Sequence, residues 1–334
     1  MKEIQAIVQT LLGSGGAPDA ALATLVTAEG SSYRRPGARL LLTAEGDRVG
    51  SISGGCLEED VLLRARRVLS TGRAETVVYD TTSENDLVWG VGMGCHGIVR
   101  VLVEKLPPQP EWVSTLATNF AARRPTSLAV VHRAADETQL GTHLVASPPG
   151  ASDPTPDVFH HVIPPPTHLA IFGAGDDAQP LARLAAELGW QVTIADPRAA
   201  FATKERFPTA SAILVGPPVA LVARVSPDPD TLAVVMTHHY VHDVPLLRTL
   251  LPLPLAYLGL LGPKKRAEKI LADLAREGFA PTPAQRAKLH APVGLDLGAD
   301  SPEQVALAIV AEMQATLSGR DALPLRQRAR PIHG

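Results

Sequence analysis

Residues 168–198 read HLAIFGAGDDAQPLARLAAELGWQVTIADPR, and this stretch decides the fold of the C-terminal half. His168 to Phe172 is an apolar run of strand length, followed by a turn through Gly173-Ala174-Gly175. Leu181, Leu184, Ala185 and Leu188 then recur at helical spacing, and Gly189 stops the helix. Gln191 to Ala195 is a second strand-like run that ends in Asp196. Strand, Gly-x-Gly-x-x-Ala turn, helix, strand and acid, in that order, predict one half-unit of a Rossmann-type fold. In such a unit the first glycine makes the turn and the second lets backbone approach a pyrophosphate. An acid about 20 residues on accepts the ribose hydroxyls. Gly173, Gly175 and Asp196 are the candidate nucleotide ligands on this reading. Asp176 and Asp177 weigh against it, because carboxylates at a helix N-terminus suit the helix dipole but repel phosphate. A Rossmann scaffold that holds no dinucleotide is the alternative.

Downstream, residues 212–215, 231–236 and 255–260 are short apolar runs separated by helical stretches near 218–223, 243–250 and 263–276. That pattern continues a parallel, doubly wound sheet. A last helix is expected over 301–317, with Ser301 as N-cap, Pro302 at its first position and Glu303 close behind. Upstream, the proline-rich stretch 147–167 predicts an extended linker, since proline fixes φ and removes a backbone donor. The expected organisation is therefore an N-terminal α/β domain over 1–146, a linker over 147–167, and a Rossmann-like domain over 168–334. Inside the first domain, helices are expected over 2–12, 57–71 and 111–122. Strands are expected over 21–27, 38–43, 49–52, 76–79, 98–103 and 127–132.

With 334 residues, 45% of them hydrophobic and 19% charged, the chain has the composition of a globular protein of about two domains. A net charge of −3 without a basic block gives no electrostatic footprint for nucleic acid. No apolar run is long enough to span a membrane. The start, MKEIQAIVQTLLGSGG, reads as an amphipathic helix ending at Gly13 and not as a signal peptide. The two cysteines, Cys56 and Cys95, belong to no close-spaced metal motif, which points to a reduced, cytoplasmic setting without a structural disulfide.

Four stretches carry candidate chemistry. Cys56 follows Gly54-Gly55 and precedes a helix, where unpaired N–H groups favour thiolate, although Glu58 and Glu59 oppose it. The competing reading is a small residue packed in a tight turn. Cys95 lies in Gly92-Met93-Gly94-Cys95-His96-Gly97, a loop so poor in side chains that backbone is expected to approach a ligand or a facing loop. Ser31, Ser32, Arg34 and Arg35 share one loop with Pro36-Gly37 and have the donors to hold a phosphate, or else form a solvated tip. Thr237 to Asp243 (THHYVHD) follows a strand and so lies at the ligand-binding edge of a doubly wound sheet. Its histidines match no common zinc spacing, so His238 is expected to hydrogen-bond at the cleft edge and no metal site is assigned.

The stretches GSSYRRPGARLLL (30–42), GSISGGCLEEDV (50–61), LVWGVGMGCHG (87–97) and 168–198 come in an order that resembles the XdhC/CoxI family. MTHHYVHDVPLL (236–247), YLGLLGPKKR (257–266) and GLDLGADSPEQVALAIVAE (294–312) extend the match. These are the accessory proteins of xanthine dehydrogenase and related molybdenum hydroxylases. Tyr33 stands where that family often has proline, and Asp176 where it often has histidine. The resemblance implies a chaperone without catalysis of its own that binds the molybdenum cofactor, as molybdopterin or its cytosine dinucleotide form. It implies cooperation with a cysteine desulfurase that installs the terminal sulfido ligand, and delivery to a xanthine dehydrogenase-type apoenzyme. A homodimer is expected from the fold class. The cofactor residues it suggests are Ser31, Ser32, Arg34 and Arg35, then Gly54, Gly55, Cys56 and Glu58, then Gly94 and Cys95, with Gly173, Gly175, Asp196 and His238 on the Rossmann half. A phosphate-bearing cofactor with a soft metal suits hydroxyls and guanidinium beside thiols. The alternatives are an NAD(P)-dependent oxidoreductase acting through Cys56 or His238, and a nucleotide-sensing regulatory protein.

Overall fold

A computed structural model describes residues 1–13, 19–82, 97–146 and 157–329. The chain forms two compact units, Met1–Pro166 and Thr167–Gly334.

The first unit opens with α1 (Lys2–Gly13), then β1 (Ala20–Gly30), β2 (Arg39–Thr43), β3 (Arg48–Gly50), α2 (Glu58–Thr71), β4 (Glu75–Asp80) and β5 (Gly97–Lys105). It continues with α3 (Glu111–Ala121), β6 (Thr126–Val131), β7 (Gly141–Val145) and β8 (Val158–Ile163). The sequence suggests simple helix–strand alternation, but every strand pair here is antiparallel. The order is β3-β2-β1-β5-β4 in one sheet and β7-β6-β8 in the other. α2 separates β3 from β4 in sequence, yet those two strands occupy opposite edges, so no parallel crossover is made. β1 reads as a continuous apolar run because both its faces are covered. Ala21, Ala23 and Leu25 pack with Val61, Ala65 and Val68 of α2. Leu22 joins Ile7 of α1, Trp112 and Leu116 of α3, and Leu128 and Ile163 of the second sheet.

β8 lies inside the proline-rich stretch whose composition suggests a linker. Val158–Ile163 contains no proline and pairs antiparallel with β6, while Pro164 to Pro166 end it. Prolines here bound a strand; they do not replace one.

The second unit is a doubly wound parallel sheet. It runs β9 (His168–Phe172), α4 (Ala178–Glu187), β10 (Gln191–Asp196), β11 (Ala212–Val215), α5 (Pro218–Val225), β12 (Thr231–Val235) and α6 (Tyr240–Leu250). Then come β13 (Tyr257–Leu260), α7 (Lys264–Arg276), the short α8 (Pro283–Ala287), β14 (Leu289–His290) and α9 (Pro302–Ser318). The strand order is β11-β10-β9-β12-β13-β14, all pairs parallel. Helices α4 and α9 cover one face through Leu181, Ala185, Ile309 and Met313. Helices α5, α6 and α7 cover the other through Val222, Leu247 and Ile270. Ser301 caps α9 as expected, and Gln304 completes a capping box with it. The alternation of strands and helices in this unit matches the sequence reading; α8 and β14 carry too short a pattern to be read.

Between the two sheets of the first unit lies a buried arginine. Arg39, 1% exposed, donates through Nη1 to the Gly37 carbonyl and to His161 Nδ1, each at 3.1 Å. Arginine only donates, so Nδ1 must be the acceptor and the imidazole is neutral. Burial, then the Arg39 charge, push His161 down to about 4. Burial also lowers Arg39 to about 10, with Glu104 and Glu3 opposing the shift. Between the ordinary histidine value of 6.5 and about 4, the unfolded chain binds a proton that folded His161 refuses. Stability carried by this contact is therefore full above that window and falls as pH falls through it. In urea unfolding at a series of pH values, wild type should lose stability relative to His161→Asn across this window. Parallel curves for the two proteins would show that His161 does not titrate this way.

Candidate functional site

Two loops and the start of a helix build one pocket in the first unit. The loop after β1 brings Ser31, Ser32, Tyr33 and Arg34 to its rim, and the turn before α2 brings Ser53 and Cys56. Leu25, Ile52 and Val99 form an apolar floor. Cys56 is exposed, one residue before the helix N-cap Leu57. The loops touch directly: a Cβ on Gly54 would lie 3.5 Å from the Tyr33 ring. Gly55 has φ of 116°, so the turn needs glycine there.

Glu58 explains why this turn holds its shape. Its side chain is only 6% exposed and turns back under the turn. It accepts from Ser53 N at 2.7 Å, from Ser51 Oγ at 2.9 Å and from Ser53 Oγ. Ser53 Oγ in turn accepts from Gly55 N at 3.2 Å and Leu57 N at 3.1 Å. Burial alone would raise this carboxyl, but the Ser53 and Ser51 bonds outweigh it and hold the group at about 2. Glu58 is thus a support for the turn. Its position at the first helical residue after a Ser-x-Ser pair was the available signal.

The other loop is tied down by Glu3 of α1, which the sequence does not single out. Glu3 Oε2 accepts from Arg34 Nη2 at 2.8 Å and Oε1 from Arg39 N at 2.9 Å. Arg35 is exposed and outside the pocket lining. Thr81 and Gly97 complete the pocket wall. Thr81 N and Oγ1 donate to the Gly97 carbonyl at 3.0 and 2.8 Å, and Gly97 N donates back to Oγ1 at 3.1 Å. A Cβ on Gly97 would come 2.5 Å from the Ser31 carbonyl, so only glycine lets the two segments meet. Gly94 and Cys95 lie outside the described residues.

In the second unit the nucleotide fingerprint is internally partnered. Gly173, with φ of 129°, faces the chain after β12: a Cβ there would lie 2.4 Å from the Met236 carbonyl. Asp196 is 1% exposed and accepts from Ala174 N at 2.6 Å. It also accepts from Arg198 N at 2.7 Å, Nε at 3.0 Å and Nη2 at 2.9 Å. A carboxylate has about four acceptor sites, and four donors fill them. Burial opposes the charge, but the Arg198 and Ala174 bonds outweigh it and keep the group below the usual carboxylate range. Asp196 therefore braces the turn here and offers no lone pair to a ribose, contrary to the expectation from spacing. The Asp-Pro-Arg sequence held the cue.

His238 does stand at the C-terminal edge of the sheet, exposed, with Nε2 2.6 Å from Asp177 Oδ2. Beyond it, Asp243 is taken up by Thr237 Oγ1 at 2.5 Å and by the Arg266 guanidinium. Among the described residues no group of three His, Cys, Asp or Glu is arranged to hold a metal ion. No helix among them is long and apolar enough to cross a membrane.

Comparison with known proteins gives matches along most of the chain. The XdhC Rossmann domain profile matches residues 169–313, and the XdhC and CoxI family profile matches residues 17–80. A probable xanthine dehydrogenase subunit of Bacillus subtilis (strain 168) is 33% identical over 316 residues, which take in 89% of this chain and 93% of that protein. The crystal structure of a xanthine dehydrogenase from Bacillus halodurans superposes with a TM-score of 0.81 at 30% identity, covering 99% of both chains. The molybdenum cofactor insertion chaperone PaoD of Escherichia coli (strain K12) is 24% identical over 312 residues, 92% of this chain and 85% of that one.

The Glu58 bonds make a direct prediction. Glu58→Ala strands the Ser53 backbone N–H and takes away the acceptor of the Ser53 hydroxyl, and should cost the first unit about 2–4 kcal/mol in denaturant unfolding. A folded value of about 2 against an ordinary 4.5 means the charge stabilises the fold above pH 4.5 and stops doing so as pH falls towards 2. The stability gap between wild type and Glu58→Gln should close over that interval, and a gap independent of pH would show that the carboxylate charge is not what holds the turn.

Proposed function

The chain belongs to the XdhC and CoxI family, and we propose that it is an accessory protein that binds the molybdenum cofactor and passes it to an apoenzyme of the xanthine dehydrogenase type. The observation that carries this is the first unit's pocket, where a hydroxyl- and guanidinium-bearing loop meets a glycine turn that presents a thiol. That donor set suits the two chemically different ends of such a cargo. Ser31, Ser32 and Arg34 would hold its phosphate by charge-assisted hydrogen bonds. Cys56 would face its soft metal end, since sulfur is the matching ligand for a soft centre. The rigid turn over Glu58 fixes where that thiol sits before cargo arrives, so little ordering is needed on binding. Gly94 and Cys95 are assigned to the same cargo from the sequence, and their flanks Thr81 and Gly97 line the pocket.

The relatives support this reading by what their names say: one is a molybdenum cofactor insertion chaperone, another a xanthine dehydrogenase, and a third a probable component of such an enzyme. We place the delivery step after sulfuration by a cysteine desulfurase, in the cytoplasm, with the two compact units as separate domains in each protomer of a homodimer. The cargo is molybdopterin or its cytosine dinucleotide form. The oxidoreductase reading asks Asp196 to hold a ribose, and Ala174 and Arg198 occupy that carboxylate.

The thiol is the decisive group. Cys56→Ser keeps the volume of the side chain and substitutes a hard hydroxyl for sulfur, so the melting temperature should barely move. Bound pterin and activation of a partner dehydrogenase should fall together about tenfold, the equivalent of ~1.4 kcal/mol. Cys95→Ser should show the smaller loss. Bound pterin is read by the fluorescence of its oxidised product after acid release. Wild-type cofactor retention and activation in both variants would reduce the thiols to packing residues and remove this mechanism.

A further inference from the structure

In the second unit, β9 and β12 are the neighbouring strands from which the sheet is wound in opposite directions. The loops after them, 173–177 and 236–239, lie at the switch point where this fold binds ligands. The Asp177 carboxylate occupies that place. A Cβ on Gly175 would stand 2.6 Å from Asp177 Oδ1 and 3.9 Å from His238 Cδ2. The other oxygen, Oδ2, is bonded to His238 Nε2 at 2.6 Å. His238 reaches it from a backbone φ of 60°, a left-handed conformation that a residue with a β-carbon keeps only where its surroundings hold it.

The second glycine of a Gly-x-Gly turn is where backbone lets a phosphate oxygen come close. Here a carboxylate of the chain itself comes close instead. We propose that Asp177, clasped by His238, is a built-in occupant of the anion place in this crevice, which keeps phosphate-bearing ligands out until the Asp177–His238 bond opens. The ligand class is a nucleotide, or another cofactor, that binds through a phosphate or pyrophosphate. This concerns residues of the second unit alone and stands whether or not the thiol pocket binds a molybdenum cofactor.

The neighbouring groups single out Asp177. Asp176 is drawn aside by Arg206, whose Nη2 lies 3.0 Å from Asp176 Oδ1. Asp196 is closed by four internal donors. Opening the clasp would therefore remove the carboxylate nearest Gly175. It would leave the 175–177 turn, at the positive end of the α4 dipole, and the freed imidazole of His238 to face an anion.

The test is calorimetric titration of the purified full chain with ADP and with inorganic pyrophosphate. Wild type should bind both more weakly than about 1 mM, and Asp177→Ala at least about tenfold more tightly than wild type. Asp177→Asn keeps the volume without the charge, so it separates repulsion from simple filling: a gain by Asn as well as Ala assigns the exclusion to charge, a gain by Ala alone to the occupied space. Either supports the clasp. His238→Gln leaves the carboxylate in place and should gain less than Asp177→Ala. Melting curves confirm that the variants are folded. If folded Asp177→Ala and Asp177→Asn bind within about twofold of wild type, or if wild type binds ADP below about 0.1 mM, the clasp does not guard an anion site and the proposal fails.

Discussion

A carboxylate that leaves water has to be met by donors, and three of them set the loops of this protein. Glu58, Asp196 and Asp243 are 6%, 1% and 1% exposed. Each draws donors from a loop beside it, Ser53 N for Glu58, Ala174 N and Arg198 for Asp196, and Thr237 Oγ1 for Asp243, to which Arg266 of α7 adds its guanidinium. An unmet buried charge would cost several kcal/mol, so the loop that supplies the bonds has one favourable shape. Each of these turns is fixed in this way by an acid that no substrate need touch.

The doubly wound half was legible because each of its units is local. A parallel strand buried on both faces is a short unbroken apolar run, and glycine or proline punctuates the joins to its helix. The chain from His168 to Asp196 follows that grammar, while β11 is a half-buried edge strand reached from β10 without a helix. The first unit was legible in its elements but not in its pairing. β5 inserts between β1 and β4 and sets Leu22 opposite Glu104, a partnership across about half of the unit's length that no periodicity records. β8 was hidden for a different reason: the prolines on both sides of Val158–Ile163 dominate a composition reading, while the run itself has none.

At the candidate sites, spacing located residues and failed to orient them. It brought Ser31, Ser32, Arg34 and Cys56 into view, and these do meet at one pocket. It could not say that Arg34 shares Glu3 with the Arg39 backbone, because that bond joins residues 31 positions apart. Nor could it tell that Asp196 turns inward, although an arginine two residues later was in plain sight. An acid at the end of a second strand fits two roles equally, ribose acceptor or brace for the glycine turn, and the choice depends on which donors reach it first.

The same asymmetry separates the two glycine turns. Glycine reports that some atom comes too close for a β-carbon; it does not report which atom. At Gly173 that atom is the Met236 carbonyl, and at Gly175 it is the Asp177 carboxylate. Both Gly54-Gly55-Cys56 and Gly173-Ala174-Gly175 lead into helices whose N-termini favour negative charge. In the first turn that charge is met by Glu58 from beneath, which leaves Cys56 exposed to solvent. In the second, Asp177 lies over the glycine and His238 holds it there. One electrostatic requirement, satisfied from opposite sides of a turn, leaves the first turn open and closes the second.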